Sequence, residues 1–288
     1  MDHSSLARRV LAEFLGTALL LAAVVGTSLM AHTLSPGDAG LRLLQNSSAV
    51  ALALAAVIHA FGPVSGAHFN PVVSAADWFL GRRSGTGLTA RELAAYIGAQ
   101  TAGAVAGTAL GNLMFDQPAV TVADTARTGG HLLLSEVVAT TGLLVLIAAL
   151  VRTGRGSRGP GAVGAYIAAA CWFTASTCFA NPAVTLGRVL TAAEAGIAPG
   201  SVPGFLLAQL AGLLLACGLI PLLYPRADGT PAGAATGVLG QLLGRWDAHR
   251  RQRQRQGARC GDLTGTGPPP DLLVAGHRRL LRRADPPA

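Results

Sequence analysis

The chain has 288 residues, 51% of them hydrophobic and 12% charged, which is about half the charge of an ordinary soluble domain. With a mean hydropathy of +0.46 and apolar residues gathered in long runs, that balance excludes a water-soluble globular domain and points to transmembrane helices. The net charge of +8 rests on arginine alone, since all 22 basic residues are Arg, a bias that reads as codon usage rather than function.

From the N-terminus, the first apolar run follows Arg9. It is too long for a signal peptide, lacks a clean small-residue cleavage site, and carries Glu13. Six stretches are long enough to cross a ~30 Å hydrocarbon core as helices: roughly 9–31, 42–61, 91–114, 131–151, 161–178 and 203–224. Two shorter apolar segments, 70–80 and 181–191, follow the second and the fifth. Each opens on Asn-Pro, in "HFNPVVSAAD" at 68–77 and "FANPAVTLGR" at 179–188. Pro71 and Pro182 suit a first helical turn, where a missing N–H costs nothing, and Asn70 and Asn181 suit the N-cap. Each segment therefore reads as a half-helix that starts inside the membrane.

Arginine placement sets orientation. With the N-terminus inside, cytoplasmic segments hold Arg8, Arg9, Arg82, Arg83, Arg91, Arg152, Arg155 and Arg158, and outer loops hold only Arg42, Arg127 and Arg188. Both termini are expected in the cytoplasm, in a multi-pass protein of the cell (inner) membrane. The segment 225–288 adds eleven more arginines among Gln, Gly and Pro. Such a composition does not fold alone, so it reads as a disordered cytoplasmic tail, with no nucleic acid expected as a partner. Of the four cysteines, Cys171, Cys178 and Cys217 lie in apolar runs and Cys260 in the tail. Their spacing fits neither a disulfide framework nor a metal site. No nucleophile–base–acid set stands out, so no enzyme, catalytic residue, cofactor or metal is expected.

The two halves, about 9–114 and 131–224, echo each other. "AEFLGT" at 12–17 pairs with "SEVVATTG" at 135–142, placing Glu13 and Glu136 alike. "YIGAQTAG" at 96–103 pairs with "FLLAQLAG" at 205–212. Each half is span, span, half-helix, span. Three spans per half force opposite topologies, an inverted repeat whose broken helices meet at the bilayer midplane. Non-helical backbone is tolerated there only if it is buried in protein or lines a water-filled path.

Over 9–224 these words, "SGAHFNPV" and "FANPAV" above all, resemble the aquaporin or major intrinsic protein family. The resemblance implies an all-α membrane fold of six transmembrane helices and two re-entrant half-helices. It also implies a homotetramer in the lipid bilayer, with one pore per subunit for small neutral solutes. Asn70, Pro71, Val72, Asn181, Pro182 and Ala183 would form the pore centre, with Val72 bulkier than the usual Ala. Glu13, Glu136 and His68 would brace the re-entrant loops, and His59 either lines the inner half of the pore or caps a span. A second constriction would fall at Val50, Ala169, Cys178 and Val184, where water-selective members carry an aromatic, a His and an Arg. None is present here, which implies a wide, apolar filter. Arg188, one turn past Val184, is read as an outer-loop cation. Thr185 stands where glycerol-conducting members have Asp. The "FTAST" word with Val184 is similar to a bacterial subgroup associated with arsenic resistance, so neutral arsenite or antimonite joins water and glycerol among the expected solutes. The competing readings are an ion-coupled secondary transporter, for which Asp77 is the one extra acid near the site, a strictly water-selective channel, and a non-conducting structural protein.

Overall fold

The computed structural model describes residues 5–82 and 84–225; the expected tail, with Cys260, lies outside the described residues apart from Pro225. The described chain is helical, with no strand among its residues. Eight α-helices follow in order: α1 Leu6–Leu34, α2 Ala39–Ser65, α3 Pro71–Gly81, α4 Ala90–Leu113, α5 Gly130–Arg152, α6 Gly159–Phe173, α7 Pro182–Gly187 and α8 Val202–Leu223. Local signals account for several ends. Asp38 caps α2 by accepting from Leu41 N, and Gly66 closes it in the left-handed region at φ 89°. Thr89 and Glu92 form a reciprocal capping box at α4.

Four of the long segments, Leu6–Leu34, Ala39–Ser65, Gly130–Arg152 and Pro199–Leu223, are long and apolar enough to cross a membrane. α4 has the length, at 24 residues, but Gln100, Thr101, Thr108 and its glycines dilute its hydropathy. α6 departs most from the sequence expectation of a span over 161–178. It has 15 residues, about 22 Å of helix, and stops at Phe173. Beyond it Thr177, Cys178 and Ala180 take φ of 59°, 55° and 47°, which no right-handed helix accommodates.

The halves pack alike. α1 lies on α4 as α5 lies on α8, and α1 on α2 as α5 on α6; α3 touches α4, α8 and α7, while α7 touches α8, α4 and α3. Close approach depends on glycine at particular points. A Cβ on Gly107 would sit 2.1 Å from Ala18 O, and one on Gly212 2.9 Å from Val137 O. The periphery is apolar, with Leu11, Leu52, Leu207, Leu214 and Leu222 exposed, whereas Glu13, Gln100, Glu136 and Gln209 are fully buried. That distribution suits a protein whose surrounding solvent is hydrocarbon.

Candidate functional site

The site is built twice from the same local chemistry. Asn70 and Asn181 take extended backbone and cap α3 and α7: Asn70 Oδ1 accepts from Val72 N at 3.1 Å, and Asn181 Oδ1 from Ala183 N and Val184 N at 2.9 and 3.2 Å. Each side-chain amide then donates across to the other half. Asn70 Nδ2 reaches Ala180 O and Asn181 Nδ2 reaches Phe69 O, both at 2.8 Å. The N-termini of the two short helices are thereby fastened to each other.

The peptide before each Asn is held in a shape that helical backbone does not provide. Ala67 and Phe69 in the first half, and Cys178 and Ala180 in the second, have φ between 47° and 55°. The cost of these left-handed residues is of order 1 kcal/mol each, offset by charge-assisted bonds to a buried carboxylate. Glu13 accepts from Ser65 Oγ (2.6 Å), His68 N (3.0 Å), Phe69 N (2.7 Å) and Gln100 Nε2 (2.8 Å). Glu136 accepts from Ser176 Oγ (2.6 Å), Phe179 N (2.9 Å), Ala180 N (2.8 Å) and Gln209 Nε2 (2.7 Å). Gln100 also donates to Ser74 Oγ, and Gln209 to Thr185 Oγ1, both at 2.9 Å. Sequence reasoning found the Glu pair and the Ala-Gln-x-x-Gly words but missed their hydroxyl partners. The signal was present: Ser65 and Ser176 stand five residues before each Asn, Ser74 and Thr185 four after.

His68 bonds Ser74 Oγ through Nδ1 at 3.0 Å, and its ring meets Tyr96 edge-on. Pro71, Val72 and Ala183 are buried at the short-helix starts, whereas Pro182 is half-buried. His59 is exposed on α2, and Asp77 Oδ2 is engaged by Leu88 N at 2.8 Å.

The four residues expected at the second constriction do not gather into one group. Val50 and Val184 share a buried apolar cluster with Leu20, Leu54 and Ala195. Cys178 is buried in a neighbouring cluster with Ala139, Leu143 and Ala170, against which Cys171 packs. Ala169 is exposed and stands apart. The residues of α6 that pack on the Val50–Val184 cluster are Val163 and Ile167. Two residues on from Ile167, at 100° per residue, Ala169 points to the opposite side of the helix.

Arg188 corrects the sequence reading outright. It is no loop cation: the residue is 6% exposed. Its Nε donates to Ala195 O, and its guanidinium carbon lies 3.5 Å from the centre of the Phe179 ring. Arg188, the C-cap of α7, is thus held between the Phe179 ring and the Ala195 carbonyl.

Known proteins resemble this chain over most of its length. The family model described as "Major intrinsic protein" matches residues 1–178. Aquaglyceroporin AqpS of Rhizobium meliloti is 49% identical over 220 residues, covering 76% of this chain and 91% of the relative. The glycerol uptake facilitator protein of Pseudomonas aeruginosa is 34% identical, covering 74% of this chain and 86% of the relative. Probable aquaporin AqpM of Archaeoglobus fulgidus is 32% identical over 168 residues, half of this chain and 65% of the relative. A family match over more than half of the chain, and a relative near one-half identical along nearly its whole length, establish that this chain belongs to the major intrinsic protein family.

Proposed function

We propose that the protein is a passive transmembrane channel for small uncharged solutes, water and glycerol-like polyols first among them. The observation that carries this reading is the crosswise pair of asparagine amides. Each amide nitrogen has two N–H groups and spends one on the opposite loop. The other has no acceptor among the described residues and remains a donor for a passing solute oxygen. The donors stand where two helix N-termini meet, a region of partial positive charge that repels cations and excess protons.

On this reading Asn70 and Asn181 orient solute at the pore centre, flanked by Pro71, Val72, Pro182 and Ala183. Val50, Val184 and Cys178 give the outward stretch its apolar wall, while Ala169 stays outside it. Glu13 and Glu136 brace the loops. Their eight donors leave neither acid free to bind a coupling ion, which favours a channel over an ion-coupled transporter. An apolar wall also admits a neutral trihydroxylated metalloid such as arsenite or antimonite, a solute close to glycerol in size. The relatives' names, an aquaglyceroporin and a glycerol uptake facilitator, support the polyol class. We further propose a homotetramer in the inner membrane, termini cytoplasmic, from the family resemblance and the arginine asymmetry.

Flux of water, glycerol and arsenite into proteoliposomes of purified protein tests the function. Non-saturating flux, indifferent to ion gradients, is expected; saturation with dependence on a sodium or proton gradient would sink the channel reading in favour of the transporter.

A further inference from the structure

α3 runs outward from the centre of the fold, where its capping Asn70 is fastened to the opposite half through Ala180 O. Its 11 residues cover about 16 Å. That is half of a ~30 Å hydrocarbon core, so its C-cap, Arg82, reaches the level where hydrocarbon gives way to headgroups. The helix packs on α4 and α8, and its Ala76 and Leu80 meet Ala216 and Ile220 of α8 in one apolar cluster. Phe79 belongs to none of the buried clusters and is 41% exposed. Trp78, one turn before Arg82, is half-buried. Trp at this depth suits a membrane–water boundary, where its ring sits among headgroups.

The Arg82 side chain lies over both rings. Its guanidinium carbon is 4.5 Å from the centre of Phe79 and 5.5 Å from the centre of Trp78, within the range at which a ring quadrupole holds a cation. The residue is exposed, and no carboxylate claims it. The ion pairs among the described residues are Arg9–Glu92 and Arg42–Glu194. Asp77, the nearest acid in the sequence, accepts instead from Leu88 N. Neither the Arg82 guanidinium nor the Trp78 indole N–H has a hydrogen-bond acceptor among the described residues. Stacking occupies the face of a guanidinium and leaves its edge donors, whose fork matches the oxygens of a phosphate. The end of α3 thus joins a positioned cation, a second N–H donor and an exposed aromatic ring at headgroup depth.

We propose that the end of α3 binds an anionic phospholipid of the cytoplasmic leaflet. The phosphodiester oxygens accept from the edge of the Arg82 guanidinium and from the Trp78 indole N–H, while an acyl chain lies along Phe79. The patch selects for net negative charge: a zwitterionic headgroup brings its own cation to its phosphate, whereas an anionic one leaves the phosphate free to pair with Arg82. The choice of leaflet rests on the orientation proposed above; the headgroup contact rests only on α3 ending at the membrane surface.

Trp78 lies under the proposed headgroup and can report on it. The chain's tryptophans are Trp78, Trp172 and Trp246, so full-length Trp172→Phe/Trp246→Phe protein carries Trp78 alone. It is reconstituted into vesicles of phosphatidylcholine and phosphatidylglycerol, with brominated acyl chains on one lipid or the other, and quenching of its fluorescence is measured. Brominated phosphatidylglycerol is expected to quench at about one-fifth of the mole fraction that brominated phosphatidylcholine requires, the scale of one juxtamembrane arginine. Arg82→Gln in the same background is expected to make the two lipids equivalent. Trp172, exposed on α6 and bonded through Nε1 to Ser47 Oγ, has no cation over its ring among the described residues. As the sole tryptophan, in Trp78→Phe/Trp246→Phe protein, it is expected to show no preference. Should Arg82→Gln fail to insert, the comparison of Trp78 with Trp172 decides the matter. Equal quenching of Trp78 by the two lipids, a preference that survives in Arg82→Gln, or the same preference at Trp172 would overturn the proposal. So would loss of the preference in millimolar inorganic phosphate, which would make the occupant a soluble anion. Quenching reads the site whether or not the pore conducts, so none of these results bears on the channel reading.

Discussion

Cys178 stands three residues before Asn181, in the left-handed region at φ 55°. The sequence nominates it as the thiol beside the constriction and offers Cys171 and Cys217 as controls. The structure splits those controls. Cys171 packs against the cluster that holds Cys178, whereas Cys217 lies with Ala76, Leu144 and Ile220. A mercurial is therefore expected to inhibit water flux, Cys178→Ser to abolish the inhibition, and Cys217→Ser to leave it intact; sensitivity that survives in Cys178→Ser would remove Cys178 from the path. Asn181→Asp keeps the cap acceptors for Ala183 N and Val184 N but loses the donor to Phe69 O. It also places a carboxylate in a cation barrier. The expected result is a potassium leak, with a stability loss of about 1–3 kcal/mol from the facing carbonyl. Unchanged ion exclusion in correctly inserted protein would argue that Asn181 is not at the pore centre. Val184→Arg alone sets a second guanidinium near Arg188 and is expected to reduce glycerol flux more than water flux in paired stopped-flow measurements; equal reduction, or none, would count against Val184 as a wall residue.

At the scale of elements, α4 contains its own controlled experiment. Gly107 faces Ala18 O of α1 so closely that any Cβ forces the helices apart, while a Cβ on Gly98 meets nothing within 4 Å. Gly107→Ala is expected to destabilise by about 1–3 kcal/mol. Gly98→Ala is expected to be neutral or to stabilise by up to about 1 kcal/mol through helix propensity. Thermal unfolding of the two variants in detergent checks this, and similar melting points would contradict the tight α1–α4 seam. The short helices obey a different logic. α7 has six residues, too few to be stable alone, and persists because Asn181 caps it, Thr185 Oγ1 returns to Asn181 O at 2.9 Å, and the neighbouring α4 and α8 enclose it.

For the molecule as a whole, two similar halves share one buried polar seam, and their apolar outer faces meet lipid. Every helix of that arrangement ends by Leu223. Deleting 229–288 is therefore expected to leave flux per inserted protein unchanged, measured as osmotic permeability normalised to reconstituted protein; a large loss would show that the arginine-rich segment takes part in transport.

How much of this was legible beforehand follows from the range of each interaction. The two Asn-Pro starts, the paired Glu residues and the Ala-Gln-x-x-Gly words could be read from the sequence because caps and helix-packing glycines act through spacings of a few residues. Their duplication told of an inverted repeat without any coordinates. The end of α6 could not be read. Thr177, Cys178 and Ala180 adopt positive φ with no glycine to announce it, and the turn is held by Glu136, some forty residues away, which accepts from Phe179 N and Ala180 N. The facing of Ala169 depends on where Val163 and Ile167 of the same helix find partners on α2, a matter of packing rather than of offset from a motif. Arg188 is the sharpest case. In sequence it is a cation near an outer loop, and only the folded chain brings Phe179 and Ala195 to it, turning a surface charge into a buried donor. Local chemistry determined which residues start and cap the elements; tertiary contact decided which side each one faces.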